Sequence, residues 1–281
     1  MIARDETVAG AGESAVVTTP GPARAWRGLA LGAAGVILFA LAWEAFARSR
    51  VFAPALTPTL AAIGVALGRM VLDGSLFGHV AFTLYRVLSG LGLAAVVGIP
   101  LGMLMGRWRP VERFFLPLMS VLMPIPSLAW VPVFILWFGL GNTATIMLVF
   151  YAATFPLMYN TWTGVRTVNR LWLRAASAMG ADERALFWKV ILPGSLPFVI
   201  TGLRQAFARS WIAVVGGEMI AASAWGLGWV IFDAKEFLNT DVMMGVLVVI
   251  GGLGLVFERV IFQALEARSV ARWGMLRAVK A

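Results

Sequence analysis

No charged side chain occurs between Arg113 and Arg166, a stretch of 52 residues (114–165). About 20 consecutive apolar residues suffice to cross the hydrocarbon of a bilayer, so this stretch is long enough for two spans. The Gly-Leu-Gly-Asn segment at 139–142 predicts a turn between them. We therefore predict spans at about 114–138 and 143–164. Charged residues make up only 13% of the chain, against roughly 25% in soluble domains, too few to cover a protein surface in water.

Four further apolar runs reach spanning length, and with these two they predict an all-α polytopic membrane protein of six transmembrane helices. The four lie at about 28–47, 87–106, 196–222 and 242–265. The first is predicted to be a transmembrane helix at 27–48 that is retained rather than cleaved as a signal peptide. Mixed charges, small residues and prolines predict a flexible tail at 1–26, and residues 268–281 form a second tail.

Basic residues are distributed unevenly between the two sides of this topology. One side carries fifteen of them, in the tails and in the loops at 107–113 and 165–195, and the other side carries five. The positive-inside rule predicts that the rich side is cytoplasmic, so both termini lie in the cytoplasm of a bacterium and the chain crosses its inner membrane. The net charge of +9 therefore indicates membrane topology and not a nucleic-acid partner.

Two segments on the other side of the membrane have features of their own. Within residues 49–80, apolar residues recur at helical spacing, which predicts an amphipathic helix on the periplasmic face. Residues at about 223–241 form a second outer segment, in which the Gly-Leu-Gly sequence at 226–228 predicts a bend at the membrane edge.

The composition excludes most catalytic chemistry. The chain has no cysteine and one histidine, His79, which is expected to lie in interfacial water. A thiolate or histidine metal site is therefore not expected, and we predict no catalytic and no metal-binding residue. A membrane-embedded enzyme would need clustered His, Asp, Glu or Ser residues that are not there. No G-x-x-x-x-G-K-[ST] phosphate loop occurs, so any ATP chemistry must belong to a partner.

The loop at 165–195 carries the most informative motif. Its sequence predicts a short alanine-rich helix, a glycine able to take positive φ, and a second helix that begins near Asp182 and ends before Pro193. Such a unit is a compact knob at the membrane surface. The spacing resembles the E-A-A-x3-G-x9-I-x-L-P loop of the permease subunits of ABC importers. The positions concerned are Arg174, Ala175, Ala176, Gly180, Ala181, Leu192 and Pro193.

In that motif Arg174 replaces the acidic first residue, and Val190 replaces isoleucine. Further segments resemble the nitrate, sulfonate and taurine branch of the family, among them 124–132, 192–204 and 217–220. The resemblance implies a MetI-like core of five helices at 81–267, preceded by one additional N-terminal helix.

The resemblance also implies a function and a set of partners. It predicts the permease subunit of an ATP-driven importer for a small anion, such as a sulfonate, taurine or nitrate. The 165–195 loop would dock on a cytoplasmic ABC ATPase dimer, which would bind the ATP and Mg²⁺, and the permease itself would hold no cofactor. A periplasmic binding protein would deliver the substrate, and a second copy of the chain would complete the pathway.

Five residues are candidates for lining that pathway: Pro124, Pro126, Trp130, Arg209 and Glu218. Arg209 lies near the middle of its span, where it either attracts an anion or pairs with backbone carbonyls or another subunit. The prolines either line a cavity or kink a packing helix. Trp130 either touches substrate or lies in the lipid belt. Glu218 is near the outer end of its span and is expected to reach interfacial water.

The alternative is a channel or secondary transporter that works on an ion gradient without an ATPase. Such proteins often place coupling-ion carboxylates in the membrane. Only Glu44 and Glu218 are near candidates, and both lie towards the outer ends of their spans. Arg204 lies on nearly the same helix face as Glu218, but about 21 Å away along the axis, so these two cannot pair.

Overall fold

The computed structural model describes residues 22–222 and 224–264, with side chains from residue 30 onward. Secondary structure in this part is entirely helical, which agrees with the all-α class. The tail at 268–281 and all but the last five residues of the tail at 1–26 lie outside it. The α-helices are α1 (Pro22–Arg48), α2 (Leu60–Leu72), α3 (Ser75–Arg107), α4 (Arg109–Leu122), α5 (Val131–Phe138), α6 (Asn142–Thr167), α7 (Arg170–Ala178), α8 (Glu183–Leu186), α9 (Leu192–Ala221), α10 (Leu227–Glu236) and α11 (Thr240–Val256).

Three long helices form the centre of the fold, with α6 packed against both α3 and α9. The glycines at positions 90, 98, 102 and 106 of α3 lie directly against α6. A Cβ at each of them would lie 3.2 Å or less from an atom of α6. Gly92 is different, because nothing lies within 4 Å of the position that its Cβ would take. The four contact glycines let α3 approach α6 more closely than larger side chains would allow.

The prediction of a single span at 114–138 is wrong in its shape. Two helical segments, Arg109–Leu122 and Ser127–Phe138, meet there at an angle of 90°. The second segment starts with a short 3-10 turn that leads into α5. Pro124 and Pro126 lie at the break, and neither can donate the backbone hydrogen bond that a continuous helix needs. This part of the chain is a broken span or a re-entrant segment.

The second helix of the knob does not end before Pro193, contrary to the sequence prediction. From α8 the chain passes through a π-helical turn, Phe187–Ile191, directly into α9. In this turn the backbone N–H of Leu192 donates to the carbonyl of Phe187, five residues earlier. Pro193 follows in the first turn of α9, where a missing N–H costs little. The resulting helix, Glu183–Ala221, has 39 residues.

Four helical segments of the described chain are long and apolar enough to cross a membrane, or five if the bent pair counts as one span. They are Ala30–Arg48, Ser75–Arg107, Glu183–Ala221 and Thr240–Phe262. The central helix α6 has 26 residues, a length of about 39 Å at 1.5 Å per residue. Six spans in total remains a prediction.

A helix, α2, lies within 49–80, where the sequence predicts one. The side chain of Thr59 caps its first turn by accepting a hydrogen bond from the N–H of Ala62. Its buried face contains Ile63 and Met70 and packs against α3 and α11. The outer segment predicted at 223–241 contains a helix that the sequence did not predict, α10, which packs against α9 and α11.

Candidate functional site

The knob predicted in the 165–195 loop consists of α7, a turn at Gly180, and α8. Asn169 caps α7 by accepting a hydrogen bond from the N–H of Leu171 (2.8 Å). Asp182 caps α8 in the same way, through the N–H of Ala185 (2.7 Å). Gly180 has a φ of +83°, a conformation that other residues adopt only at a cost. The predicted start of the second helix near Asp182 and the predicted turn at Gly180 are therefore confirmed.

A cavity of about 540 Å³ lies in the angle between the two helices of the knob. Three motif residues, Ala176, Gly180 and Ala181, line it together with Met179 and others. Ala176, in the last turn of α7, is buried, whereas Met179, which follows the helix, is 82% exposed. Because small residues form the floor and an apolar side chain stands at the rim, the knob is shaped to fit against another protein surface.

The other motif residues have different surroundings. Arg174 and Ala175 are exposed on α7 and do not line this cavity. Leu192 and Pro193 are half-buried at the start of α9. The departure from the family motif at Arg174 therefore lies on the exposed side of the knob and does not disturb its internal packing.

Two ion pairs connect the knob and its neighbourhood to the core helices. Arg107 at the end of α3 pairs with Glu183 of α8, and its guanidinium lies over the ring of Phe187 (5.9 Å to the centroid). Arg166 near the end of α6 pairs with Glu112 of α4 through both carboxylate oxygens (2.6 and 2.7 Å). Both pairs lie at the ends of the helices that the charge count assigns to the cytoplasm.

Arg209, Pro124 and Pro126 meet at a second cavity, of about 270 Å³, beside the broken segment. Tyr151 on α6 completes part of the wall, and its hydroxyl donates to the carbonyl of Leu122 (2.8 Å). Arg209 lies 83 residues after Pro126 in the sequence, so its meeting with the two prolines is a property of the fold. Among the described residues that line this cavity, none is acidic.

Trp130 is half-buried and does not line this cavity, but it packs against one of its walls. Its ring centroid lies 5.2 Å from that of Tyr151 and 6.2 Å from that of Phe134. The indole therefore packs between α5 and α6. Leu128, two residues earlier, packs against Gly216 of α9. A Cβ on this glycine would lie 2.5 Å from the side chain of Leu128, so the broken segment is held directly against α9.

The expectation that Glu218 reaches interfacial water is wrong. Its side chain is completely buried, and Arg86 of α3 donates to it at 2.7 Å. Thr83 also donates to the Glu218 carboxylate (2.9 Å), as does the N–H of Gly228 (2.9 Å). Glu218 consequently does not line an open surface in this structure. A buried carboxylate persists only when a partner charge and hydrogen bonds compensate it, and all of these are present.

Arg86 is the residue that the sequence analysis missed. The charge count assigns Arg86 to the five basic residues of the side opposite the knob, but it lies within α3 with 2% of its side chain exposed. Besides Glu218 it donates to the carbonyl of Trp225 (2.5 Å) and to Oδ1 of Asn142 (2.9 Å). The sequence signal for this pair was an arginine and a glutamate near the ends of two different predicted spans, on the same predicted side of the membrane.

His79 is also placed differently from the expectation. It is buried, with its ring 4.8 Å from that of Trp225, and its Nδ1 accepts a hydrogen bond from the N–H of Gly226 (3.2 Å). Thr83 accepts a further bond from the N–H of Leu227 (2.9 Å). The start of α10 is thus fastened to α3 by side chains that satisfy its free N–H groups.

Comparison with known proteins yields a consistent set of relatives. Residues 98–273 match the family model for the binding-protein-dependent transport system inner membrane component. The taurine transport system permease protein TauC of Escherichia coli is 37% identical over 66% of this chain and 68% of its own length. The bicarbonate transport system permease protein CmpB of Synechococcus elongatus is 32% identical over 85% of this chain and 91% of its own length.

Among solved structures, the MetNI methionine ABC transporter in inward facing conformations has the same fold. A chain of that complex superimposes with a TM-score of 0.59 at 22% identity, over 67% of this chain and 95% of the other. The match confirms the MetI-like arrangement of the core helices.

Proposed function

The chain belongs to the inner membrane components of binding-protein-dependent transport systems, and we propose that it carries a small anion across the bacterial inner membrane. It is a multi-pass permease subunit of an ABC importer and not an enzyme, because ATP hydrolysis in this family belongs to a separate subunit. A gradient-driven transporter or channel is correspondingly disfavoured as the alternative.

The observation that carries the proposal is the knob. Its helix–glycine–helix geometry, its floor of small residues and the exposed Met179 are suited to docking on a cytoplasmic ATPase dimer. The loop residues proposed for this contact are Arg174, Ala175, Ala176, Gly180, Ala181, Leu192 and Pro193. ATP and Mg²⁺ would be bound by that partner. The excess of basic residues on the knob side supports a cytoplasmic location for both termini.

The proposed pathway runs past Pro124, Pro126 and Arg209, beside Trp130. A mid-membrane arginine costs about 2.5–3.5 kcal/mol on insertion scales when nothing compensates it. We therefore expect another protein surface, and not lipid, to cover the exposed Arg209 side chain. A second copy of the chain would supply that cover and would enclose a shared pathway. We no longer propose a pathway role for Glu218, because it is buried against Arg86.

An anionic substrate, delivered by a periplasmic binding protein, is favoured for two reasons. Arg209 supplies a positive charge at membrane depth, and no acidic residue of the described chain shares its cavity. In addition, the names of two relatives refer to taurine and to bicarbonate, which are both small molecules with an oxyanion group.

Co-purification with the ATPase tests the proposal. The chain is co-expressed with candidate ATPase subunits, as wild type and as the variants Gly180→Asp and Ala176→Asp. We expect the wild type to retain an ATPase and both variants to lose it, while Arg113→Gln, an exposed change outside the knob, has no effect. Native mass spectrometry then gives the number of permease copies, for which we expect two. Uptake into liposomes by the chain alone, without any ATPase, would contradict the proposal.

A further inference from the structure

One face of α9 carries a polar stripe that begins at Arg209. Thr201, Gln205 and Arg209 follow one another at intervals of four residues, and all three are exposed. Residues at this spacing lie on one side of a helix, each about 6 Å further along the axis. Such a stripe is unfavourable against lipid, and it extends from the cavity towards the knob end of α9.

The neighbouring helix α6 contributes to the same stripe. The side-chain amide of Asn160 donates to Oε1 of Gln205 (3.0 Å) and to the carbonyl of Pro156 (2.8 Å). Gly202, on the adjacent face of α9, brings the two helices together, since a Cβ there would lie 2.9 Å from Cβ of Asn160. The amide pair is therefore fixed in place one turn from Arg209.

Arg209 gives this region its charge. A guanidinium offers five donors in a planar fork that matches carboxylate, carbonate and sulfonate oxygens. Asn160 and Gln205 are neutral, so the site holds one positive charge and suits an anion with a single negative charge. The cavity beside Arg209, about 270 Å³, is slightly below the range of roughly 300–1,000 Å³ for pockets that hold drug-sized ligands.

We propose that Arg209 and the Asn160–Gln205 amide pair form a binding site for a monovalent oxyanion within the membrane, and that Thr201 continues its route towards the knob. This inference rests on the proposed function, which it extends by giving the permease a substrate site of its own. Selection of the substrate would then be shared between the binding protein and the permease.

Thiol labelling tests the site without knowledge of the transported substrate. The chain has no cysteine, so Gln205→Cys creates a single thiol one turn from Arg209. The purified variant in nanodiscs is treated separately with two methanethiosulfonate reagents, the negatively charged ethylsulfonate and the positively charged ethylammonium. The labelling rate of each reagent is divided by the rate at which the same reagent labels a free thiol in solution. Val96→Cys on α3, which is 73% exposed on an apolar surface, is the control.

We expect Gln205→Cys to favour the negative reagent by at least about threefold, the effect of a unit charge some 6 Å away in water. Adding Arg209→Gln should abolish the preference, and adding Arg209→Lys should preserve it. Methanesulfonate or bicarbonate should slow the labelling in an Arg209-dependent manner, whereas sulfate should not.

Three results would overturn the site: a Gln205→Cys thiol as unreactive as that of Val96→Cys, equal normalised rates for the two reagents, or a preference unchanged by Arg209→Gln. Stronger protection by sulfate than by methanesulfonate would refute the restriction to monovalent anions. None of these measurements involves an ATPase, so failure of the co-purification experiment would be recognised separately.

Discussion

The guanidinium of Arg86 donates to the carboxylate of Glu218 across 2.7 Å, with 2% and 0% of the two side chains exposed. The two residues belong to α3 and α9, which both pack against α6. The ion pair therefore links α3 and α9 directly. Through Gly226 and Gly228 the same side chains also determine where α10 begins, because a Cβ at either glycine would lie within 2.8 Å of Glu218.

Replacing Glu218 by glutamine should destabilise the protein by about 3–5 kcal/mol, because it leaves the buried Arg86 without a counter-charge. Thermal unfolding of the purified chain in detergent measures this effect. Thr83→Val, which removes one hydrogen bond to Glu218 and one from the N–H of Leu227, should cost about 1–3 kcal/mol. The control is Arg48→Gln, whose exposed pair with Glu44 is worth at most about 1 kcal/mol. Equal unfolding temperatures for Glu218→Gln and the control would contradict the structure.

Gly102→Ala should destabilise the contact between α3 and α6. The added Cβ would lie 2.6 Å from the carbonyl oxygen of Met158, a backbone atom that cannot turn aside. We expect a loss of about 1–3 kcal/mol, the usual cost of overpacking. Gly92→Ala on the same helix is the matched control, since nothing lies within 4 Å of its Cβ position. That change should be neutral or stabilising by up to about 1 kcal/mol. A loss of similar size for both variants would contradict a cost that arises from the contact with α6, because helix propensity by itself favours alanine over glycine.

Reversing the charge in Glu183→Arg should weaken the coupling between ATP hydrolysis and uptake in the reconstituted importer. Its pair with Arg107 is exposed, so the stability of the chain should change by less than about 1 kcal/mol. Coupling contributions of 0.5–2 kcal/mol correspond to a roughly two- to thirtyfold drop in substrate transported per ATP.

The double variant Arg107→Glu/Glu183→Arg restores the pair with its charges exchanged, and it should recover most of the lost coupling. Arg109→Glu is the control, because Arg109 lies two residues after Arg107, at the start of α4, and is not part of this ion pair. If the double variant were no better than Glu183→Arg alone, the Arg107 contact would have no part in coupling.

Glu44→Ala should loosen the connection between α1 and α2. One oxygen of Glu44 accepts from the N–H of Leu60 (2.8 Å) and the other from Arg48 (2.7 Å). Losing this cap should cost about 0.5–2 kcal/mol locally. Trypsin should then cut after Arg48 or Arg50 several times faster than in the wild type, while Glu236→Ala, at an exposed pair, should leave the cutting rate unchanged. An identical rate in Glu44→Ala would mean that the cap does not hold α1.

The sequence predicts best those features that depend on local chemistry. The charge-free stretch, the cap at Asp182 and the positive φ of Gly180 all follow from residues close together in the chain. The pair of Arg86 with Glu218 could not be found in this way, because helical phase relates residues of one helix only. Helical phase relates Glu218 to Arg204 on its own helix, whereas its partner Arg86 lies 132 residues earlier.

Prolines mark places where a helix can break, but they do not determine what happens there. Pro124 and Pro126 accompany a 90° bend, which is held by the packing of Leu128 against Gly216. Pro193 accompanies no break, because the preceding π-helical turn leaves it at a position where no N–H is needed. The difference lies in tertiary packing and hydrogen-bond register, which local sequence does not encode.

The unbroken helix from Glu183 to Ala221 has a mechanical consequence. Arg209 lies 26 residues beyond Glu183, about 39 Å along one axis. Because this helix is continuous, a tilt imposed on it at the Glu183 end would displace Arg209 sideways. No hinge between the two residues would absorb the motion. The proposed ATPase contact and the proposed anion site would then move together, because they lie on the same helix.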